Sequence, residues 1–324
     1  MAHRGGLAID PLPFLLESDD PIVRYNVAKH LLKAGETELA ASRNALNADA
    51  RVASMIEECT RWPDAPLKRH NDAGHPLHKI ELLADFGLTR DDAGICEIIE
   101  RVTANQTEDG RYLSPLAVPE RWGGYDAPHM DWMNCDNPVL LYSLIRFGAE
   151  DPGIKEAVET LVSSVHENGW RCGSSLRFRG PGRKSDFCPY ANLVTLKALA
   201  ADGGHLDSDE CAAGVEAQLW HWENRAGRKI MMFGIGTTFM RLKLPHVWYD
   251  VLHVLEVLSH FPAAVDDPRF TEMMELVNGK QRGDGSFVPE SVYTAWRGWS
   301  FGQKREPCPL TTLRVAVINR RIEA

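Results

Sequence analysis

A short turn motif repeats along this chain at regular spacing, and that regularity limits the fold more than any other feature. Asn105-Gln-Thr-Glu-Asp-Gly-Arg-Tyr112, His166-Glu-Asn-Gly-Trp-Arg171 and Lys280-Gln-Arg-Gly-Asp-Gly-Ser-Phe287 each place an aromatic residue just after an Asp-Gly or Asn-Gly pair. Such pairs tolerate positive φ and mark sharp reversals. Asp109 and Asn168 are 59 residues apart, and Asn168 and Asp284 are 116 apart, about twice that. Asn224-Arg-Ala-Gly-Arg228 falls where a degenerate middle copy belongs.

A second series lies between the turns. Gly74-His-Pro-Leu-His78, Cys135-Asp-Asn-Pro138, Cys188-Pro-Tyr190, Pro245-His-Val-Trp-Tyr249 and Cys308-Pro-Leu310 each lead into an apolar run. Proline suits the first turn of a helix, where its missing N–H costs nothing. Runs that are apolar around most of their circumference predict inner helices. The stretch from Asp151 to His166 instead reads as an outer helix, with Ile154, Ala157, Val158, Leu161 and Val165 on one stripe. Two helices per unit of about 58 residues predict an all-α protein. The expected architecture is an α/α toroid of about five helical hairpins. Residues 1–60 read as an N-terminal helical cap, with helices broken at Pro21, and residues 61–324 as the repeats, all in a single domain. Ring closure would gather the inner-helix N-termini, and with them Cys135, Cys188, His246 and Cys308, at one mouth.

Composition narrows the function classes. A formal net charge of -9 argues against a nucleic-acid partner. The sequence has no run of about twenty apolar residues, so no membrane span is expected. The start has no apolar signal core, and the seven cysteines are scattered, so a reducing cytoplasm is the expected location.

The Gly-turn-aromatic repeats resemble the prenyltransferase and squalene-oxidase repeat of terpenoid cyclases and protein prenyltransferase β subunits, over roughly residues 60 to 320. The resemblance implies an α/α toroid with a mostly apolar small-molecule substrate in its central cavity. Asp186-Phe-Cys188 resembles the Asp-x-Cys zinc motif of the prenyltransferase β subunits, and His246 resembles their later zinc histidine. The implied cofactor is zinc on Asp186, Cys188 and His246, a three-ligand set that leaves one position open for chemistry. The resemblance also makes Arg179, Arg183 and Lys184 candidate anion contacts, and Trp296 and Trp299 candidate cavity-lining aromatics. Asp131, His129 and Tyr249 are candidates for proton transfer. His129-Met-Asp131-Trp-Met-Asn-Cys135 forms a rival ligand set one repeat earlier.

The squalene cyclase acid motif, Asp-x-Asp-Asp-Thr, is absent, and Pro189 stands where prenyltransferases commonly carry tyrosine. Prenyltransferases also work with a helical-repeat α subunit, which this chain does not contain; the sequence neither implies a partner subunit nor excludes one. Three readings stay open: a zinc lyase or hydrolase acting on a C–O or C–S bond, an alkyl or prenyl transferase using an isoprenoid diphosphate, and a non-catalytic toroid that binds a lipid or a protein.

Overall fold

A computed structural model describes residues 6–125, 127–175 and 183–323. Helices carry the structure. The strand pairing among the described residues is one two-stranded antiparallel ribbon, Ser114–Leu116 against His129–Asp131, with Ser114 opposite Asp131. Among the described residues no helix is long and apolar enough to cross a membrane.

The chain divides into two compact units. One comprises residues 1–53, 236–246 and 250–324; the other comprises residues 54–235 and 247–249. In the second unit the inner helix Asn137–Phe147 packs against both Pro76–Phe86 and Pro189–Asp202. Outer helices Ile95–Thr103, Gly153–Ser163 and Asp209–Glu223 belong to the same unit. The stripe expected over 151–166 is the buried face of Gly153–Ser163, where Ala157, Val158 and Leu161 are covered. In the first unit Val251–Leu258 packs on Pro268–Asn278 and on Pro309–Ile322, which also meets the N-terminal helices Leu12–Leu16 and Pro21–Asn26.

The turn motif acts as a repeated clasp. Gly110, Gly169 and Gly285 take φ of +84°, +93° and +82°, a region that side chains avoid. Each turn delivers its aromatic, Tyr112, Trp170 or Phe287, into a fully covered position. The backbone N–H of that aromatic then donates to a side chain of the next inner helix. Tyr112 donates to Asn137 Oδ1 at 2.8 Å, Trp170 to Asn192 Oδ1 at 3.1 Å and Phe287 to Thr312 Oγ1 at 2.9 Å. In two copies the aromatic carbonyl accepts from the cysteine that opens the helix: Cys188 N–H to Trp170 O and Cys308 N–H to Phe287 O, both 2.9 Å. Turn, aromatic and helix start are thus one hydrogen-bonded unit, which explains why they recur together in the sequence.

One expected helix start moves. His246 does not open an inner helix; the helix is Val251–Leu258, with Asp250 at its N-cap. The Asp250 carboxylate accepts from His253 N–H at 3.0 Å, a capping bond that neither Pro245 nor His246 supplies. The rings of His246 and His253 stack at 4.9 Å, and His253 is fully buried.

Candidate metal centre

Three donors from two segments meet in the unit built around Asn137–Phe147. His70 lies in the loop before the Pro76–Phe86 helix. Cys135 and Asp136 immediately precede Asn137–Phe147. Side-by-side inner helices bring these segments together, because each presents its N-terminal approach to its neighbour. The imidazole, thiol and carboxylate ligand atoms lie within 4.8 Å of one another. His70 Nδ1 is 2.8 Å from Asp136 Oδ1 and 3.4 Å from Cys135 Sγ. The second Asp136 oxygen is buried and has no hydrogen-bond partner among the described residues. Asp136 and Cys135 are buried, whereas about a quarter of the His70 side chain, 26%, is exposed.

The His70 loop is anchored from below. His78 Nε2 lies 2.7 Å from the His70 carbonyl, so that nitrogen carries the hydrogen and donates. Burial opposes a charge on His70, but the Asp136 carboxylate and Cys135 outweigh it and raise its pKa well above the ordinary value. Burial, reinforced by Asp136, pushes the Cys135 thiol up to about 12. A cation in the cluster would reverse that preference and favour the thiolate.

Two further cysteines belong to the same unit. Cys188 stands at the N-cap position of the Pro189–Asp202 helix, and the Cys188 thiol, together with burial, raises the Cys172 pKa above its ordinary value. The segment carrying Cys172 is tied to Asn134, next to Cys135. Asn134 N–H donates to Gly173 O at 2.8 Å, and Asn134 Nδ2 donates to Arg171 O at 2.9 Å.

The ligands read from the sequence have varied surroundings. The Asp186 carboxylate is engaged by Arg228 through both oxygens and accepts Arg183 N–H at 3.1 Å. The Arg228 hydrogen bond holds its pKa below the usual carboxylate value. Asp186 lines a cavity of about 350 Å³ with Phe187, Trp220 and Arg228. Cys188 belongs to the same unit, and His246 to the other. Arg183 and Lys184 are exposed, and Arg179 lies outside the described residues.

The proton-transfer candidates occupy two places. Asp131 Oδ2 lies 3.5 Å from His129 Nε2 and accepts from Ser175 Oγ at 2.6 Å. Tyr249 is buried, donates to Gln218 Oε1 at 2.9 Å and lies 2.8 Å from His221 Nδ1. Burial raises the Tyr249 pKa well above its ordinary value and lowers that of His221 to about 4. Trp296 and Trp299 pack on each other at 5.4 Å and on Phe301, with the Arg51 guanidinium 4.9 Å above Trp299.

Sequence reasoning missed His70, Asp136 and a buried ionic group in the same unit. Lys197 Nζ lies 2.6 Å from Glu81 Oε1 and 3.4 Å from Asp85 Oδ2, and Tyr142 donates to Asp85 Oδ1 at 2.5 Å. All four residues are buried. A signal for this group was available: Glu81 and Asp85, at i and i+4, interrupt an otherwise apolar inner helix. His70 carries no such signal, because it stands in a loop with no periodicity.

The chain matches no family model and no curated protein sequence. It aligns with solved structures over most of its length. A protein from Actinoplanes is 16% identical, covering 95% of this chain and 91% of that one, with a TM-score of 0.40. The type II terpene cyclase MstE from Scytonema, without ligand, is 14% identical over 94% of this chain and 88% of its own, with a TM-score of 0.42. A variant of that cyclase, in complex with its substrate geranylgeranyl dihydroxybenzoate, is 13% identical over 94% and 87%, with a TM-score of 0.41. At this distance the likeness carries no functional reading of this chain.

Proposed function

We propose that this chain is a metal-dependent enzyme, with zinc as its ion, that acts on a mostly apolar small molecule. The observation that carries the metal reading is the convergence of His70, Cys135 and Asp136 ligand atoms within 4.8 Å. A relay of the Cys–His–Asp kind would need the thiol and the carboxylate on opposite ring nitrogens. Here both approach Nδ1 of His70, which suits three donors directed at one point. The donor set favours zinc over magnesium or calcium, which select oxygen ligands. The unpaired oxygen of buried Asp136 also fits a cation, since a buried carboxylate oxygen without a partner is costly.

Zinc bound there would lower the pKa of a coordinated water or thiol, or polarise a substrate oxygen. Asp136 and Cys135 would supply buried negative charge, His78 would hold the His70 loop in register, and the exposed edge of His70 would leave a path for substrate. The apolar substrate and the ring closure around it rest on the repeat resemblance. Diphosphate-dependent prenyl transfer is the narrower alternative, and it would draw on Arg183 and Lys184.

Elemental analysis of the purified chain tests the reading, with about one zinc per chain as the expected result. His70→Ala and Cys135→Ser should lose the ion while far-UV circular dichroism stays unchanged. If Asp186→Ala and His246→Ala lose it instead, the ligand set is Asp186, Cys188 and His246. A metal-free chain that stays metal-free on zinc titration sinks both sets and leaves a binding protein.

A further inference from the structure

The cavity of about 350 Å³ beside Asp186 is built within one unit of the chain. Helix Asp209–Glu223 lines it with Ala213, Glu216, Ala217 and Trp220, the i, i+3, i+4 and i+7 positions of a single face. Two alanines on that stripe leave room that larger side chains would fill. Trp220 is 40% exposed, and the Phe187 ring meets it edge-on, with centroids 6.2 Å apart and planes at 85°. The two aromatics form a corner. Beneath it Phe187, Ala217 and Ile230 are buried together, with Met231 packed against them. Met231 sits in a tight turn that two hydrogen bonds between Ile230 and Phe233 close, at 3.1 and 2.9 Å, and it takes a φ of +54°. Glycine or asparagine would avoid a left-handed cost of about 1 kcal/mol there; methionine adds apolar contact to the floor instead. Asn168 Nδ2 donates to Ser185 O at 2.8 Å, which ties the clasp turn carrying Glu167 to the segment carrying Asp186.

Acidic groups dominate the lining. Asp186, Glu167 and Glu216 face one cation, Arg228, and Arg228 engages both oxygens of Asp186. An anion would have to compete with Asp186 for that guanidinium. A cation is drawn both by the glutamates and by the face of Trp220. Hydrocarbon attached to the cation finds the apolar floor. We propose that this cavity binds an alkylammonium ion, with its charged head at Trp220 and Glu216 and its chain over Phe187, Ala217 and Ile230. Glu216 lies one helical turn before Trp220, so a single head group reaches both. The volume falls within the range of small-molecule sites, about 300–1,000 Å³. The site does not draw on the zinc reading of the previous section, since His70, Cys135 and Asp136 are not among its lining residues.

Calorimetric titration of the full chain with hexyltrimethylammonium at low salt tests the site, with hexanol and hexanoate as neutral and anionic controls. One site per chain is expected, and the controls should bind at least about tenfold more weakly. Trp220→Ala should weaken binding of the cation about tenfold. Glu167→Gln combined with Glu216→Gln should weaken it about fivefold, a difference that high salt removes. These three side chains are exposed, so the variants should keep the far-UV circular dichroism of the unsubstituted chain. Ala213→Leu, which fills the cavity and leaves every charge in place, should abolish binding. Equal affinity for hexanol would reduce the site to an apolar hollow and overturn the proposal. Tighter binding of hexanoate would make Arg228 an anion anchor and overturn it as well. So would the absence of any binding of the cation, or binding that Trp220→Ala leaves unchanged.

Discussion

Replacing Asp250 with asparagine should make this protein more stable at alkaline pH and leave it nearly unchanged in acid. Asp250 is 4% exposed, and one carboxylate oxygen caps the Val251–Leu258 helix through His253 N–H. The other oxygen is buried without a hydrogen-bond partner among the described residues. Burial pushes the pKa from 3.8 up to about 7, against the opposing pull of the His253 N–H and the Lys243 charge. The folded chain therefore binds more protons than the unfolded chain between those two values, and stability falls as pH rises through that window. At about 1.4 kcal/mol for each tenfold change in proton affinity, the rise from 3.8 to about 7 amounts to about 4 kcal/mol by pH 8. Asparagine keeps the capping oxygen and removes the charge; the lost attraction to the helix N-terminus is about 1 kcal/mol or less. Urea unfolding followed by tryptophan fluorescence at pH 4 and pH 8 measures the difference between Asp250→Asn and the unsubstituted chain. An expected gap of about 3 kcal/mol at pH 8 should close at pH 4. Parallel stability curves across that range would refute the buried-acid argument, because every other titrating group is common to both proteins.

Lys197→Met should cost about 3–5 kcal/mol in the same unfolding assay, since it strands the buried Glu81 and Asp85 carboxylates. Adding Glu81→Gln and Asp85→Asn should recover part of that loss; no recovery would mean the charges are not what destabilises the variant. Gly169→Ala should lower stability more than Gly203→Ala, although both glycines have positive φ. A Cβ at Gly169 meets Asn192 Oδ1 at 2.4 Å, whereas one at Gly203 meets nothing within 4 Å. Left-handed strain alone costs about 1 kcal/mol, so equal melting shifts for the two variants would discount the clasp. Asn192→Ala should cost about 2 kcal/mol or more, because it leaves Trp170 N–H and Gly214 O without their buried partner.

The sequence by itself determined the helical class, the turn-aromatic clasps and most inner-helix starts. These features are local: a left-handed glycine, a proline in a first helical turn and an apolar run act over a few residues, so their periodicity survives in the chain. It also singled out Cys135 and Cys188 through their places before inner helices. Tertiary structure decided which residues surround those cysteines. His70 stands 65 residues before Cys135 in the sequence and meets it only because two inner helices lie side by side. Arg228 likewise engages Asp186 from 42 residues away. The start of the Val251–Leu258 helix turned on whether Asp250 or the Pro245-His246 pair caps it, a competition between neighbouring residues that burial of Asp250 accompanies. Long-range pairing of polar groups leaves no period in the sequence, because a carboxylate or imidazole is read only by what the fold places against it.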